Sequence, residues 1–451
     1  MNILIVGSGK VGDALAAGLR GEGNDITIID QDPEKVKAIA NKYDIMGVIG
    51  NGATRTIQKE AGVDEADLLI AVTGTDEINL LSCLVAKHSS DCSTIARLKN
   101  PDYSIDAPYF KDELGLAMVI NPERASAKEI SRILNFPSAV KIETFGKGRI
   151  ELLSFKVPAE CRLTGMSIRE VTAKFKCGVT FCTIEREAEA YIANGDFVFA
   201  ERDLVSIVAS PEGAKDFFQK INYKLQPIKD VVIVGGGETT HYLCQRLEHS
   251  GISVKVIEKN PALCSDLATD FDYATIINGD PADEDILREE GIGTASAFVA
   301  LTGVDEENIL LSLFAKRQGC RKVITKINKT EYDDIVNHLE LDSVIYPKNI
   351  TADMIIRYVR ARENTRGSNI ETLYNLIKGK VEALEFTVNE ASPVVNVPLS
   401  ELNFKPDVLI AAIIRDGEQI IPRGQSVIEP GDSVIVVTKQ RALNDISDVL
   451  K

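Results

Sequence analysis

The strongest constraint on this chain is that its second half repeats its first. The segment Ile3-Leu4-Ile5-Val6-Gly7-Ser8-Gly9 returns as Val231-Val232-Ile233-Val234-Gly235-Gly236-Gly237, and the shift of 228 from Gly7 to Gly235 also carries Asp30 to Glu258. One residue later in register, Thr73-Gly74-Thr75-Asp76-Glu77 returns as Thr302-Gly303-Val304-Asp305-Glu306, with Asn79 matched by Asn308 and Arg97 by Lys326. Ile120-Asn121-Pro122 returns as Ile345-Tyr346-Pro347 at a shift of 225. Between these stretches, Glu151-Leu152-Leu153-Ser154-Phe155 resembles Glu382-Ala383-Leu384-Glu385-Phe386. Asn194-Gly195-Asp196 with Asp203 likewise resembles Arg423-Gly424-Gln425 with Asp432. Internal repetition decides the architecture before any single element does. The chain reads as two copies of a two-part module, with segments 1–136, 137–225, 226–366 and 367–451 and joints near 136, 226 and 366. Two similar lobes in one polypeptide usually form a pseudo-two-fold pair.

The first part of each module alternates strand and helix in the βαβ manner. In the first copy, strands are expected near 2–6, 25–30, 45–49, 67–72, 93–97 and 117–120. Each is a near-continuous apolar run, the pattern of a parallel sheet covered by helices on both faces. The fold class is therefore α/β: two Rossmann-like parallel-sheet domains, each followed by a small α+β domain rich in Val, Ile, Thr and turn residues. Leucines of the Asp76–Lys87 helix are expected in the core. Helices near Glu123–Leu134 and Ala352–Arg362 place apolar and charged residues at helical spacing, which suits lobe-to-lobe or module-to-module contacts.

Charge and composition exclude several classes. Asp and Glu outnumber Lys and Arg by 67 to 51, a net charge of -16, and no basic run offers nucleic acid or anionic lipid a surface. The longest apolar stretches, such as Val408 to Ile414, are strand-sized, far short of the ~20 residues of a membrane span. Ile3 to Val6 reads as a strand running into a glycine turn, not as a signal peptide. Eight scattered cysteines without a C-x-x-C pair, and four histidines, give neither a disulfide framework nor a zinc site. A cytoplasmic protein with buried thiols is expected.

The chemistry concentrates in Gly7-Ser8-Gly9-Lys10-Val11-Gly12. A lone G-x-G-x-x-G is weak evidence, but this one follows an apolar strand and opens an amphipathic helix, and Asp30 ends the next strand. Gly7 makes the tight turn, Gly9 lets backbone approach a pyrophosphate, and Gly12 allows close packing behind it. The free N–H groups and positive end of the helix attract phosphate. Asp30 can accept from both ribose hydroxyls and would repel a 2′-phosphate, which favours NAD(H) or an adenine nucleotide over NADP(H). Ligands of such sheets lie beyond the carboxyl ends of the strands, where Asn51, Thr73, Gly74 and Arg97 are also expected. For Arg97 a salt bridge is an equal alternative. The second copy keeps Gly235, Gly236, Gly237 and Glu258 but has Glu238 where the first has Lys10, and Thr240 in place of the third glycine. A carboxylate at that helix start works against an anion unless it points into solvent.

Two glycine fingerprints, two strand-end acids, two Thr-Gly-x-Asp-Glu segments and two small modules, in this order, resemble the cytosolic regulatory subunits of Trk-type potassium uptake systems. Their modules are known as RCK or KTN domains, and the resemblance spans the whole chain. It implies Rossmann lobes that bind NAD(H) or ATP/ADP and small regulatory domains. It further implies homo-oligomeric assembly into a ring on the cytoplasmic face of a separate, TrkH-like potassium-translocating membrane subunit. By matching positions, the resemblance implies ligand contacts at Gly7 to Val11, Asp30, Asn51, Thr73, Gly74 and Arg97. In the second half it implies Gly235 to Thr239, Glu258, Asp280, Thr302, Gly303 and Lys326, with Glu238, Thr240 and Pro281 (opposite Gly52) as departures. The expected activity is regulation without chemistry. The rival is an NAD-dependent oxidoreductase, against which His88, His241, His249 and His338 stand isolated and little chain remains for a substrate domain. A third reading is a signalling scaffold with no transporter.

Overall fold

A computed structural model describes all 451 residues except 22, 102, 104–105, 136–140, 146–149, 159–160, 177, 188, 224–226, 330–335, 337–338, 340, 365–369, 378–379, 441–442 and 444. The joints expected at 136, 226 and 366, and His338, lie outside the described residues. The chain forms two compact units that interleave along the sequence: Met1–Leu134 with Ile228–Ile356, and Asn135–Pro227 with Arg357–Lys451. Like therefore clusters with like, the two Rossmann lobes in one unit and the two small modules in the other.

In the first lobe, β1 (Asn2–Val6), β2 (Asp25–Asp30), β3 (Met46–Ile49), β4 (Leu68–Ala71), β5 (Ser93–Arg97) and β6 (Met118–Ile120) match the expected strands within a residue. They form one parallel sheet in the order β3-β2-β1-β4-β5-β6, whose direction of winding reverses between β1 and β4. That reversal opens a crevice at the carboxyl ends of the strands. The second lobe repeats the order with β12 (Asp230–Val234), β13 (Ser253–Glu258), β14 (Thr275–Asn278), β15 (Ala297–Ala300), β16 (Lys322–Lys326) and β17 (Ser343–Ile345).

The lobes are tied by exchanged helices. The helix Pro122–Asn135 starts on proline, with the Asn121 side chain accepting from the Arg124 N–H at 2.7 Å. It leaves its own sheet and buries Ala127, Ile130, Ile133 and Leu134 among Val231, Ile233, Leu243 and Leu247 of the second lobe. Burying such side chains is worth ~1.5–3 kcal/mol each, so the seam is part of the core. The second lobe's Pro347–Asn364 helix returns the contact: a Cβ on Gly18 would stand 2.4 Å from Ile356 Cδ1. The expected lobe-to-lobe role of these two helices holds in the first unit.

The leucine expectation needs correction. In the Asp76–Ser89 helix the sheet-facing stripe is Asn79, Ser82, Cys83 and Ala86, while Leu81 is 48% exposed and its counterpart Leu310 67%. Small residues let the helix lie close to the sheet, and the leucines are displaced to its flank and outer side.

The second unit holds two five-stranded antiparallel sheets of one topology. In the first, β10 (Glu189–Ile192), β9 (Val179–Arg186), β11 (Leu204–Ala209), β8 (Ile150–Lys156) and β7 (Lys141–Phe145) lie in that order. In the second the order is β18 (Ile370–Ile377), β19 (Val381–Thr387), β22 (Ser433–Thr438), β20 (Val408–Arg415) and β21 (Glu418–Ile420). They pack face to face through Leu152, Cys182 and Val208 against Ala383, Ala411 and Ile435. Each fixes one loop with a buried aspartate: Asp203 holds Arg186 at 2.7 Å, and Asp432 holds Arg415 at 2.8 Å.

Candidate nucleotide-binding clefts

The crevice of the first lobe is a cleft of about 500 Å³. Gly7, Gly9, Lys10, Val11, Asp30, Asn51, Thr73, Gly74 and Arg97 all line it, so residues scattered over 91 positions meet at one edge of the sheet. Ser8 and Gly12 stand behind the lining. Gly7 has φ +112°, and a Cβ on Gly12 would lie 2.0 Å from the Gly7 carbonyl oxygen, so the two glycines shape the loop itself. Gly9 and Gly74 are different: a Cβ on either meets nothing within 4 Å. Their missing side chains leave room in the cleft, not in the core.

The helix Lys10–Arg20 begins at Gly9 without a side-chain cap. Its first internal bond runs from the Asp13 N–H to Gly9, which leaves the N–H groups of Lys10, Val11 and Gly12 without a helical acceptor. Asp30 faces them from the end of β2. Its carboxylate accepts the Ser8 N–H at 2.7 Å and the Asp32 N–H at 3.0 Å, one on each oxygen. Burial pushes this carboxyl up, but the Ser8 and Asp32 bonds and Lys35 outweigh it and hold the group below its ordinary value. An ionised carboxylate oxygen has a second lone pair, so both can still accept a hydroxyl.

Thr73 contributes differently from the expectation. Its hydroxyl lies 2.7 Å from Asn79 Oδ1, which has no proton to give, so the hydroxyl proton is committed there and lone pairs remain for a ligand. Asn79 also accepts the Thr73 N–H at 2.8 Å and donates to the Arg97 carbonyl at 2.9 Å, stapling the ends of β4 and β5. Asp76 accepts the N–H groups of Lys99 and Asn100 and fixes the chain after β5. These positioning residues were visible as repeats but not as roles. Arg97 lines the cleft and forms the ion pair that was its alternative, bonding Glu123 at 2.9 Å, while among the described residues its Nε has no acceptor.

The second lobe rebuilds the frame. Thr302 and Asn308 repeat the staple at 2.8 and 2.9 Å, with the second amide hydrogen on the Lys326 carbonyl at 3.0 Å. Glu258 accepts from Gly236 at 2.6 Å and Asn260 at 2.7 Å. Gly235, Gly236, Gly237, Thr239, Glu258, Thr302, Gly303 and Lys326 line a cleft of about 460 Å³; Asp280 forms a turn with Ala282 and is not among the lining residues. The departures now have physical content. The Thr240 hydroxyl donates to the Gly235 carbonyl and the Thr240 N–H bonds Gly237 at 2.9 Å, which tightens the first helical turn and withdraws one N–H from the cleft. Pro281 lines the wall. Glu238 does not point into open solvent: it is half-buried toward the first lobe, 3.8 Å from Lys99. Burial and the nearby Glu123 push its carboxyl above the ordinary range, against Lys99 and Arg97.

Neither cleft is walled by one lobe alone. Asn328, Pro347 and Lys348 of the second lobe line the first cleft, and Glu123 of the first lobe lines the second. The helix that starts near Glu123 was expected to reach between the lobes, but the place of Glu123 in the cleft lining was not, and Lys348 carried no motif.

The TrkA-N domain model matches residues 3–122 and 231–347, and the TrkA-C domain model matches 152–222 and 383–451. Together they cover most of the sequence in the order deduced from the repeat. The chain belongs to the TrkA family. Among its relatives, Trk system potassium uptake protein TrkA homolog 1 of Methanosarcina mazei is 32% identical over 100% of both chains. Trk system potassium uptake protein TrkA of Halomonas elongata is 32% identical over 99% of this chain and 98% of its own. The GsuK channel bound to NAD shares 16% identity, covers 97% of this chain and 77% of that one, and superposes with a TM-score of 0.64. At that identity the likeness speaks for the fold alone.

Proposed function

We propose that this chain is a nucleotide-responsive regulatory subunit of potassium uptake, binding NAD(H) or ATP/ADP in its Rossmann clefts and performing no chemistry on them. The observation that carries this reading is that the first cleft joins a phosphate-ready helix start and a sugar-ready carboxylate from one lobe to a wall from the other. A ligand there touches both lobes at once, so its affinity depends on how they are arranged. By the same linkage, ligands that favour different arrangements shift the lobes by their difference in affinity. Couplings of this kind are typically ~1–3 kcal/mol, enough for several-fold to hundredfold changes in a partner's activity.

The family relatives are named for potassium uptake, and the potassium-translocating membrane subunit is the proposed partner. Among the described residues no helix is long and apolar enough to cross a membrane, so translocation falls to that partner. We assign the chain a place on the inner membrane face as a homo-oligomeric ring, with domain limits at 1–136, 137–225, 226–366 and 367–451. The test is calorimetric titration of the full chain with NAD, NADH, ADP and ATP, followed by potassium flux through the reconstituted permease with and without the nucleotide that binds. Saturable binding with a nucleotide-dependent change in flux is expected. Absence of binding, or substrate-dependent hydride transfer from bound NADH, would overturn the reading.

A further inference from the structure

We propose that the groove between the first lobe's edge strand β6 and the second lobe's helix Glu238–Leu247 is a further ligand site, suited to a small molecule that carries an acid group on an apolar body. It shares no lining residue with either nucleotide cleft, so it goes beyond the reading above without resting on it.

The groove holds about 600 Å³, within the ~300–1,000 Å³ usual for small-ligand sites. Pro101, Pro108, Ala117, Met118 and Val119 supply its apolar wall. β6 ends the sheet on that side, and Met118 and Val119 are only partly covered there. The charge comes from three separate segments: Lys111 of the helix Ala107–Glu113, Arg124 of the helix Pro122–Asn135 and His241 of the helix Glu238–Leu247. No carboxylate stands among the described lining residues, although the chain carries a net charge of -16. The fold gathers these cations from distant positions, which is why no basic run shows them.

His241 already has a partner, its Nδ1 lying 3.5 Å from Asp270. Lys111 and Arg124 differ: among the described residues neither side chain makes an ion pair or a hydrogen bond. Arg246 adds to the field. Partial burial and the like charges of Arg124 and Arg132 push its guanidinium below the ordinary value. An acid group in the groove would give Lys111 and Arg124 charge-assisted bonds and ease the repulsion between Arg124 and Arg246.

The other side of the repeat shows that the fold does not produce such a groove by itself. At the shift of 225, Lys111, Ala117, Met118 and Arg124 correspond to Val336, Asp342, Ser343 and Asn349; at 228, His241 corresponds to Asp13. Val336 and Ser343 are buried, Asp342 pairs with Lys316 and Asp13 with Lys42. That edge is closed by its own core of Ile327, Val336 and Leu341. Of the two matching edges, only the first is both open and cationic among the described residues.

The experiment uses the full chain carrying Gly9→Val and Gly237→Val, whose side chains enter the open space of the two nucleotide clefts and leave the groove to be read alone. Fluorescence titrations compare the anionic dye anilinonaphthalene sulfonate with its uncharged analogue phenylnaphthylamine. Lys111 and Arg124 are exposed, so their variants should melt with the parent. The pair Lys111→Gln with Arg124→Gln should lose sulfonate affinity by about tenfold or more and keep the uncharged dye. The pair Lys111→Arg with Arg124→Lys should keep both dyes, and Met118→Asn should weaken both by several-fold. Sulfonate affinity untouched by the Gln pair, an equal loss of the uncharged dye, loss in the charge-keeping pair, or no effect of Met118→Asn would each overturn the site.

Discussion

The two Rossmann lobes have one backbone plan and two electrostatic characters. Their buried staples agree closely: Thr73 and Asn79 meet at 2.7 Å, Thr302 and Asn308 at 2.8 Å, and both strand-end acids grip the glycine turn through one oxygen. The differences fall at the clefts: in the lining Lys10 is matched by Glu238 and Glu123 by Lys348 across the repeat, and just behind it Gly12 is matched by Thr240. Positions that hold strand ends together tolerate little, because an unmet buried amide costs ~1–3 kcal/mol. Positions that only line the crevice can change charge without disturbing the sheet. Cleft charge, not fold, is what separates the two copies.

The sharpest way to break that comparison is Gly9→Val beside Gly237→Val. Both side chains would enter open cleft space, so melting temperatures should stay near that of the parent. Gly9→Val should abolish the tightest nucleotide binding, a loss of about a hundredfold or more if the valine takes the place of a pyrophosphate, whereas Gly237→Val should spare it. Equal losses in calorimetry would mean that the clefts are not distinct. Next in size, Asp30→Ala removes charged acceptors for the ribose, worth ~1.5–3 kcal/mol, and should weaken nucleotide binding in the first cleft alone. An unchanged dissociation constant would refute the role of Asp30.

The smallest effect sharpens the comparison through pH. Glu238 is held above its ordinary carboxyl value by burial and by Glu123. A raised acid in the folded state favours folding only while protonated, so this stability is lost as pH rises through the unfolded value of about 4.5 and then the folded one. Glu238→Gln should therefore match the parent in acid and melt higher at neutral pH. A gap that shrinks with rising pH would contradict the assigned environment.

Much of this was legible in the chain itself. The strands of the first lobe announced themselves as apolar runs between glycine turns. The fingerprint, the strand-end acid and Asn51, Thr73, Gly74 and Arg97 converge because a doubly wound sheet collects the ends of its strands. The sequence pointed to the two helices that reach between the lobes, but not to which of their side chains would enter a cleft of the other lobe. Glu238 looked free to point outward until Lys99 and Glu123 appeared beside it, and Lys348 carried no motif at all. Leu81 misled for a related reason: helical spacing marks an apolar face, but the close approach of Ser82, Cys83 and Ala86 decided which side meets the sheet.

The swapped Pro122–Asn135 helix has an evolutionary consequence. A half-length ancestor assembling by the same exchange would have been a homodimer, in which each substitution appears twice and the two crevices stay identical. Fusing the halves gives each copy its own codons while keeping the interlocked core. A lysine can then arise on one side of the axis with a glutamate remaining on the other, so that two clefts built on one frame come to differ in charge.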